Sequence, residues 1–188
     1  MATSRDNLGL LLKAAAFAAE KHRHQRRKDA DSSPYINHPI ALANVLKNEG
    51  GIADASALAA ALLHDTIEDT DATSEELESL FGKEITAIVV EVTDDKSLPK
   101  EERKRLQIEH ARNISHRAKL IKLADKICNL RDLLANPPEG WSEQRKQAYF
   151  DWSKAVIDGL RGTNRKLEVV FDDLYARRGE IQISGDKP

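Results

Sequence analysis

The chain has 188 residues, with 29 Lys and Arg against 31 Asp and Glu and a formal net charge of −2. This length suits one domain with a substantial core, and the balanced charge argues against general attraction to nucleic acid or acidic membranes. The single cysteine, Cys128, excludes a disulfide within the chain and favours a cytoplasmic location, and no stretch is apolar enough to span a membrane.

Helical spacing of apolar residues runs through nearly the whole chain, from residue 4 to residue 178. The first helix is predicted over 4–24 with Ser4 as its N-cap, and a second opens at His38-Pro39 and stops at Gly50-Gly51. Asp54 is predicted to cap an Ala-rich helix that ends at His64, and Thr73 a helix that Gly82 stops. Further helices are predicted over 83–93, 98–113, 116–135, 142–161 and 164–178.

These elements predict an all-α fold, a compact helical bundle of about eight to ten helices. The run IVVEVT is rich in β-branched residues, but its surroundings favour a helix. We expect a single domain over residues 1–180, a mobile tail over 181–188, and a monomer or small homo-oligomer.

The segment ALLHDTIEDT, residues 61–70, combines an apolar run with His64-Asp65 and Glu68-Asp69. Burying such groups unpaired is costly, so they are exposed, paired with one another, or bound to a cation. A lone histidine at a helix terminus, such as His38 or His64, is more often a cap or a paired core residue. An adjacent His-Asp pair, however, suits Mn, Fe, Co or Zn. Glu68-Asp69 in isolation is typical of a solvated acidic helix end.

A further candidate is Asp125, in the core-facing helix AKLIKLADKICNLRDL. Lys122 precedes it by three residues and Asn129 follows by four, so all three share a face. Spacing leaves two interpretations open. Asp125 either pairs with Lys122 on the helix flank, or supplies a remote metal ligand while Asn129 points at what the metal site holds.

His38, His64-Asp65 and Asp125 match the H…HD…D signature of the HD metal-dependent phosphohydrolase superfamily. The surrounding sequence resembles the hydrolase half of the SpoT/RelA family, and most of all its stand-alone members, the small alarmone hydrolases. The segments that carry this resemblance are RRKD…PYINHP, LLHDTIEDT, VTDDK, KLADKICNLRDL, PEGWSEQR and GTNRKLE. The resemblance itself runs from about residue 8 to residue 178, which is almost the whole chain.

The resemblance implies hydrolysis of the 3′-pyrophosphate of ppGpp or pppGpp, giving GDP or GTP and pyrophosphate. It implies one Mn²⁺ per chain, bound by His38, His64, Asp65 and Asp125. Glu68 and Asp69 complete an HDxxED arrangement that marks active hydrolases, and would transfer protons and position water. The implied substrate contacts are Arg27 and Lys28 in the pocket, Tyr35 and Asn129 near the nucleoside, and Lys100, Arg145 and Tyr149 at the rim. Trp141 and Trp152 are predicted to be packing residues.

Three other functions stay open from the sequence. An HD phosphatase that acts on the 2′-phosphate of NADPH, or on another nucleotide phosphomonoester, needs the same metal and a phosphate pocket. A degenerate HD domain that only binds a nucleotide is opposed by the intact metal quartet and Glu68-Asp69. Nucleic-acid binding through the basic segment 21–28 is opposed by the net charge and the lack of a reading motif. Without the resemblance, those basic residues would be ordinary complements of a helix C-terminus.

Overall fold

The computed structural model describes residues 4–29 and 31–182. Over these residues the chain forms ten α-helices and no β-strand, which confirms the predicted all-α bundle. The helices are α1 (Ser4–Lys21), α2 (Asn37–Asn44), α3 (Ala55–Leu63), α4 (Thr66–Asp69), α5 (Ser74–Phe81), α6 (Lys83–Val92), α7 (Lys100–His110), α8 (His116–Ala135), α9 (Glu143–Asp158) and α10 (Arg165–Ala176). A π-helical turn at Val45–Glu49 prolongs α2, and a 3₁₀ turn at Arg177–Gln182 follows α10.

Two helix starts have the side-chain caps that the sequence predicts. The Asp54 carboxylate accepts hydrogen bonds from the backbone N–H groups of Ser56 and Ala57, at 3.0 and 3.4 Å. The Thr73 hydroxyl accepts one from the N–H of Glu76 at 3.2 Å. The side chain of Ser4, the predicted cap of the first helix, lies outside the described part of the structure. Residues 183–188 of the predicted tail also lie outside it.

Several helices end earlier than their apolar pattern suggests. The first stops at Lys21 because residues 22–25 form a turn, in which the N–H of Gln25 donates to the carbonyl of His22 at 2.9 Å. Helix α9 stops at Asp158, before Gly159, whose backbone lies against Ala111. A Cβ at position 159 would lie 2.6 Å from the Ala111 Cβ, so only glycine fits this contact between the ends of two helices.

The centre of the bundle is α3, which packs against α1, α2, α6 and α8. All its residues from Ala57 to Leu63 are buried, and its small alanines let four helices approach closely. Most apolar side chains of α8 are buried, and those of Leu123, Ile127 and Leu130 are completely buried. The end of α3 and the middle of α8 are therefore held rigidly inside the molecule. Among the described residues, no helix has the length and apolarity to cross a bilayer.

Candidate active site

The four predicted metal ligands come together from three places in the fold. His38 is the second residue of α2, His64 and Asp65 lie between α3 and α4, and Asp125 lies in α8. The ligand atoms of His38, His64 and Asp65 are all within 4.8 Å of one another. The Nε2 atom of His38 is 3.2 Å from Asp125 Oδ1 and 4.0 Å from Asp65 Oδ2. The two histidines and Asp65 thus form a candidate metal site, and Asp125 lies beside it.

The buried imidazole of His64 is oriented as a metal-binding histidine requires. Its Nδ1 lies 2.8 Å from the carbonyl of Ala61, and a carbonyl can only accept, so Nδ1 carries the hydrogen. In the neutral ring, Nε2 then presents a lone pair, which is buried, has no hydrogen-bond partner and lies 3.0 Å from Asp65 Oδ2. Two imidazole and two carboxylate groups without a thiolate fit a divalent metal such as Mn²⁺ or Fe²⁺.

The electrostatics of this cluster favour a cation. Burial opposes a charge on His64, yet Asp65 and Asp125 raise the pKa of its imidazole to about 9. Burial also opposes ionisation of Asp65, but His64 and His38 hold the pKa of that carboxyl below its usual range. The pKa of Asp125 is lowered as well, because Lys126 and His38 outweigh the effect of burial. A bound metal would replace the proton that these groups otherwise hold on His64.

Glu68 and Asp69 lie on the one-turn helix α4, directly after the metal cluster. Both line the same cavity of about 170 Å³ as His38, His64, Asp65 and Asp125, which we call the metal cavity. Glu68 accepts a hydrogen bond from the backbone N–H of Asp94 at 3.0 Å. Burial and the charges of Asp94, Asp65 and Asp69 raise the pKa of Glu68 to about 7, although the Asp94 N–H opposes this. A carboxyl with this pKa can take up a proton near neutral pH.

Tyr35 has a role here that its sequence position did not reveal. Its hydroxyl lies 2.6 Å from Asp65 Oδ2 and 3.0 Å from Asp69 Oδ2, so it donates into the gap between the two acids. Burial, followed by the two carboxylates, keeps the pKa of this phenol well above its usual value. The ring stacks on buried His22, with 4.7 Å between the centroids. Tyr35 therefore links the metal cluster to the acidic pair, and also lines the neighbouring cavity that contains Asn129.

The polar face of α8 settles one question that spacing left open. The amide of Asn129 donates to Asp125 Oδ1 at 2.6 Å, as their shared face predicts. The alternative of an Asp125–Lys122 pair is wrong, because the Lys122 ammonium donates to the carbonyl of Val92 at 2.7 Å. Lys126 contacts Asp125 instead, at 3.0 Å, although it is the adjacent residue.

Three residues near the acidic pair received no role from the sequence. They are Asp94 and Lys96, in the loop between α6 and α7, and Arg103 in α7. Lys96 forms an ion pair with Asp69 and lies 4.0 Å from Glu68, while Arg103 lies 3.8 Å from Glu68. Asp94 and Lys96 belong to VTDDK, one of the segments that carry the resemblance. The spacing alone could not show that the loop folds over α4.

The predicted substrate contacts surround two further cavities that adjoin the metal cavity. The first, about 340 Å³, we call the aromatic cavity; its lining includes Arg27, Lys28, Tyr35, Asn129, Trp141 and Tyr149. The second, about 310 Å³, we call the basic cavity; its cationic lining is Lys28, Lys100, Arg103, Lys104 and Arg145. Its other lining residues include Trp141, Tyr149 and Trp152. All seven predicted contact residues thus line one or both cavities.

Two aromatic rings, those of Trp141 and Tyr149, form the wall that the two cavities share, and Trp152 continues it on the side of the basic cavity. Tyr149 lies between Trp141 and Trp152, with ring centroids 5.8 and 5.2 Å away. The guanidinium of Arg145 lies over Trp141 at 4.2 Å, and the ammonium of Lys126 over Trp152 at 4.3 Å. Trp141 therefore both packs, as predicted, and presents a surface to the two cavities.

The basic cavity has an excess of positive charge. Among the described residues, its five cationic side chains face one lining carboxylate, that of Asp94. Burial and the neighbouring cations Lys104, Arg145 and Lys28 lower the pKa of Lys100, with Glu101 opposing. By contrast, Arg27 donates to Asp132 at 2.6 Å and to Asn129 at 3.1 Å, so it is held in place by α8. The basic cavity is suited to an anion.

The sequence has close relatives among curated proteins. The model of the HD domain family matches residues 14–150. The guanosine-3′,5′-bis(diphosphate) 3′-pyrophosphohydrolase MESH1 of Xenopus tropicalis is 60% identical over 170 residues, which cover 90% of this chain and 95% of that protein. Human MESH1 is 59% identical over 169 residues, covering 90% and 94%. The GTP pyrophosphokinase rsh of Brucella melitensis is 41% identical over 133 residues, covering 68% of this chain and 17% of its own length.

Solved structures agree with these relatives. A metazoan orthologue of SpoT, which hydrolyses ppGpp and plays a role in starvation responses, superposes with a TM-score of 0.89 at 51% identity, covering 95% of this chain and 98% of its own. The lmo0812 protein of Listeria monocytogenes superposes with a TM-score of 0.62 at 28% identity, covering 77% and 97%.

Proposed function

Because this chain belongs to the HD domain family and shares about three fifths of its residues with 3′-pyrophosphohydrolases along most of its length, we propose that it hydrolyses ppGpp and pppGpp. The products are GDP or GTP and pyrophosphate. The observation that carries this proposal is the arrangement of three adjoining cavities. The metal cavity joins the aromatic cavity through Arg27, Tyr35, Asp69 and Asn129.

The three cavities suit a nucleotide that carries phosphates at two ends. In this arrangement the 3′-pyrophosphate occupies the metal cavity, and the base and ribose lie along the aromatic cavity. The 5′-phosphates then extend into the basic cavity, where five cationic side chains meet. Arg side chains bind phosphate bidentately and Lys side chains act as point charges, so the lining matches the ligand.

The candidate metal site is proposed to hold one Mn²⁺ per chain through His38, His64, Asp65 and Asp125. The fit rests on the free Nε2 of His64 and on an oxygen and nitrogen donor set. When bound, such an ion polarises a phosphoryl oxygen and makes water more acidic.

The residues of the chain then have separate tasks in hydrolysis. Glu68 accepts a proton from the attacking water, whose oxygen bonds to the phosphorus next to the ribose 3′ oxygen. The bond between that phosphorus and the 3′ oxygen breaks, and the 3′ oxygen leaves as a hydroxyl with the proton that Glu68 took from the water. Asp69, whose Oδ2 lies 3.0 Å from the Tyr35 hydroxyl oxygen, orients the water. Arg27, which lines the metal and aromatic cavities, and Lys28, which lines the aromatic and basic cavities, hold the substrate in place.

Product analysis tests this function directly. The chelated protein is reloaded with Mn²⁺, incubated with ppGpp, and its products are separated by chromatography. The proposal expects GDP and pyrophosphate in equal amounts, and Glu68→Gln serves as a folded but slow control. Release of inorganic phosphate alone, or hydrolysis of NADPH with ppGpp left intact, would instead indicate the phosphomonoesterase alternative.

We also propose a cytoplasmic protein that is a monomer or small homo-oligomer and binds neither nucleic acid nor membranes. The support is the buried free thiol of Cys128, whose pKa burial raises to about 12, and the balanced charge of the chain.

A further inference from the structure

Arg103 lies on the wall between the acidic pair and the basic cavity. It is in the first turns of α7, and its guanidinium Nη1 is 3.8 Å from Glu68 Oε1. The same side chain lines the basic cavity, together with Lys28, Lys100 and Arg145. One arginine therefore lies within reach of both the proposed general base and the proposed site of the 5′-phosphates.

The contacts of Arg103 leave it free to change partners. A separation of 3.8 Å is close enough for charge attraction but too long for a hydrogen bond. Its Nε is buried and has no hydrogen-bond partner. A buried donor without a partner is costly, and a phosphate oxygen would satisfy it with a charge-assisted bond. Helix α7 has no fully buried residue among those described, so it does not fix the side chain rigidly.

Each neighbouring cation either contacts the acidic pair or lines the basic cavity, but does not do both. Lys96 contacts both Asp69 and Glu68 but does not line the basic cavity in the described structure. Lys100 lines that cavity, and no contact within 4 Å joins it to either acid among the described residues. Arg103 alone of the described cations combines the two.

We propose that Arg103 is a positioning residue that couples occupancy of the basic cavity to Glu68, so that the enzyme acts fastest on nucleotides with a phosphate at the end remote from the reacting pyrophosphate. This inference rests on the proposed function. When the basic cavity is empty, the Arg103 guanidinium lies 3.8 Å from Glu68 Oε1 and competes with water for that carboxylate oxygen. When a remote phosphate enters, Arg103 turns to it, and Glu68 is free to take a proton from water.

The coupling predicts a difference in kcat as well as in KM between two substrates. The probes are guanosine 3′,5′-bis(diphosphate) and guanosine 3′-diphosphate, which have the same reacting pyrophosphate. Since a charge-assisted hydrogen bond is worth about a factor of ten to a hundred, the first should be turned over with a kcat higher by roughly that factor. In Arg103→Gln the two kcat values should become equal within about twofold, because the group that distinguishes the two substrates is gone.

Three variants separate coupling from simple binding and from packing. Lys100→Gln should raise KM for the bis(diphosphate) but keep the kcat ratio, and Lys96→Gln should change both kcat values alike. Arg103→Lys keeps the positive charge but loses the bidentate guanidinium, so it should restore part of the kcat ratio between the two substrates. The melting temperature of each variant is measured alongside.

The outcomes are distinct from a failure of the proposed function. If the wild-type protein releases pyrophosphate from neither probe, the function itself is wrong. If it hydrolyses both and Arg103→Gln keeps the wild-type kcat ratio while only KM rises, Arg103 merely binds phosphate and the coupling is refuted. Equal loss on both probes with a lowered melting temperature would show a packing role and would also refute it.

Discussion

At the scale of single residues, the segment His64-Asp65-Thr66-Ile67-Glu68-Asp69 separates into metal-binding and proton-transfer groups. His64 and Asp65 belong to the candidate metal site, whereas Glu68 and Asp69 are bonded to Asp94, Lys96 and Tyr35 around it. The different partners of the two halves mean that substitutions in each should fail in different ways.

Asp65→Ala and Asp125→Ala should lose bound metal and lower the melting temperature together, because metal binding is linked to folding. Glu68→Gln and Asp69→Asn should keep the metal and lower kcat by roughly 10²- to 10⁴-fold, the usual size of a general acid–base contribution. Elemental analysis, thermal unfolding and steady-state kinetics on the four variants check this. Loss of metal from the Glu68 and Asp69 variants would make all four acids a single metal cage.

The pKa of Glu68, raised to about 7 by burial and nearby carboxylates, predicts a pH dependence. A base must be ionised to act, so kcat should fall as pH drops below about 7, and Glu68→Gln should lack that part of the profile. The folded protein holds this proton more tightly than the unfolded chain does. The stabilisation of the folded protein by protonated Glu68 is therefore lost as the pH rises from about 4.5 to 7. A flat profile for the wild-type protein over this range contradicts the assignment of Glu68 as the base.

Tyr35→Phe removes the hydroxyl that donates to Asp65 and Asp69 but keeps the ring on His22. Hydrogen bonds that orient metal ligands contribute about 10- to 100-fold to metal affinity, so this variant should bind Mn²⁺ more weakly by that factor. Isothermal titration of the chelated proteins with Mn²⁺ measures it. Unchanged affinity would show that Asp65 needs no support from the phenol.

At the scale of helices, the site depends on how firmly α3 is packed. Leu63, the last residue of α3, is completely buried next to His64, so Leu63→Ala should lower the free energy of unfolding by about 2–5 kcal/mol. Leu12→Ala, on the outer face of α1 where the side chain is 62% exposed, should change it by less than about 0.5 kcal/mol. Urea unfolding of both variants in the presence of a chelator makes the comparison, and equal losses would mean that burial does not control stability here.

The helices themselves were largely predictable from the sequence, and the contacts between them were not. Apolar spacing located α3 and α8, and Asp54 and Thr73 marked two of the starts, because helices and caps depend on neighbouring residues. Asp125 could not be placed by spacing, since its partner His38 lies on another helix. The contacts of Lys96 and Arg103 with the acidic pair could not be predicted for the same reason, because the segment after α6 reaches α4 only through tertiary packing.

At the scale of the whole molecule, a net charge of −2 conceals a strongly uneven distribution. Five cations line the basic cavity beside an acidic metal cavity, so attraction of substrate is local and should be sensitive to salt. Lys28→Ala and Arg27→Ala should raise KM by about tenfold or more, and added salt should raise the wild-type KM further than that of either variant. The control is Lys83→Ala, because the Lys83 side chain is 86% exposed and lines none of the three cavities. If all three variants share the wild-type KM and salt response, the cations do not bind substrate.

The aromatic wall between the two cavities has a practical consequence. The chain has two tryptophans, Trp141 and Trp152, and both line the basic cavity. Arg145 lies over the Trp141 ring at 4.2 Å and Lys104 over the Trp152 ring at 5.7 Å, and both cations line this cavity. An anion that draws these two groups away alters the surroundings of both fluorophores at once. The native emission spectrum is therefore an intrinsic reporter of this cavity, and titrating a non-hydrolysable nucleotide would follow its occupancy without any attached dye.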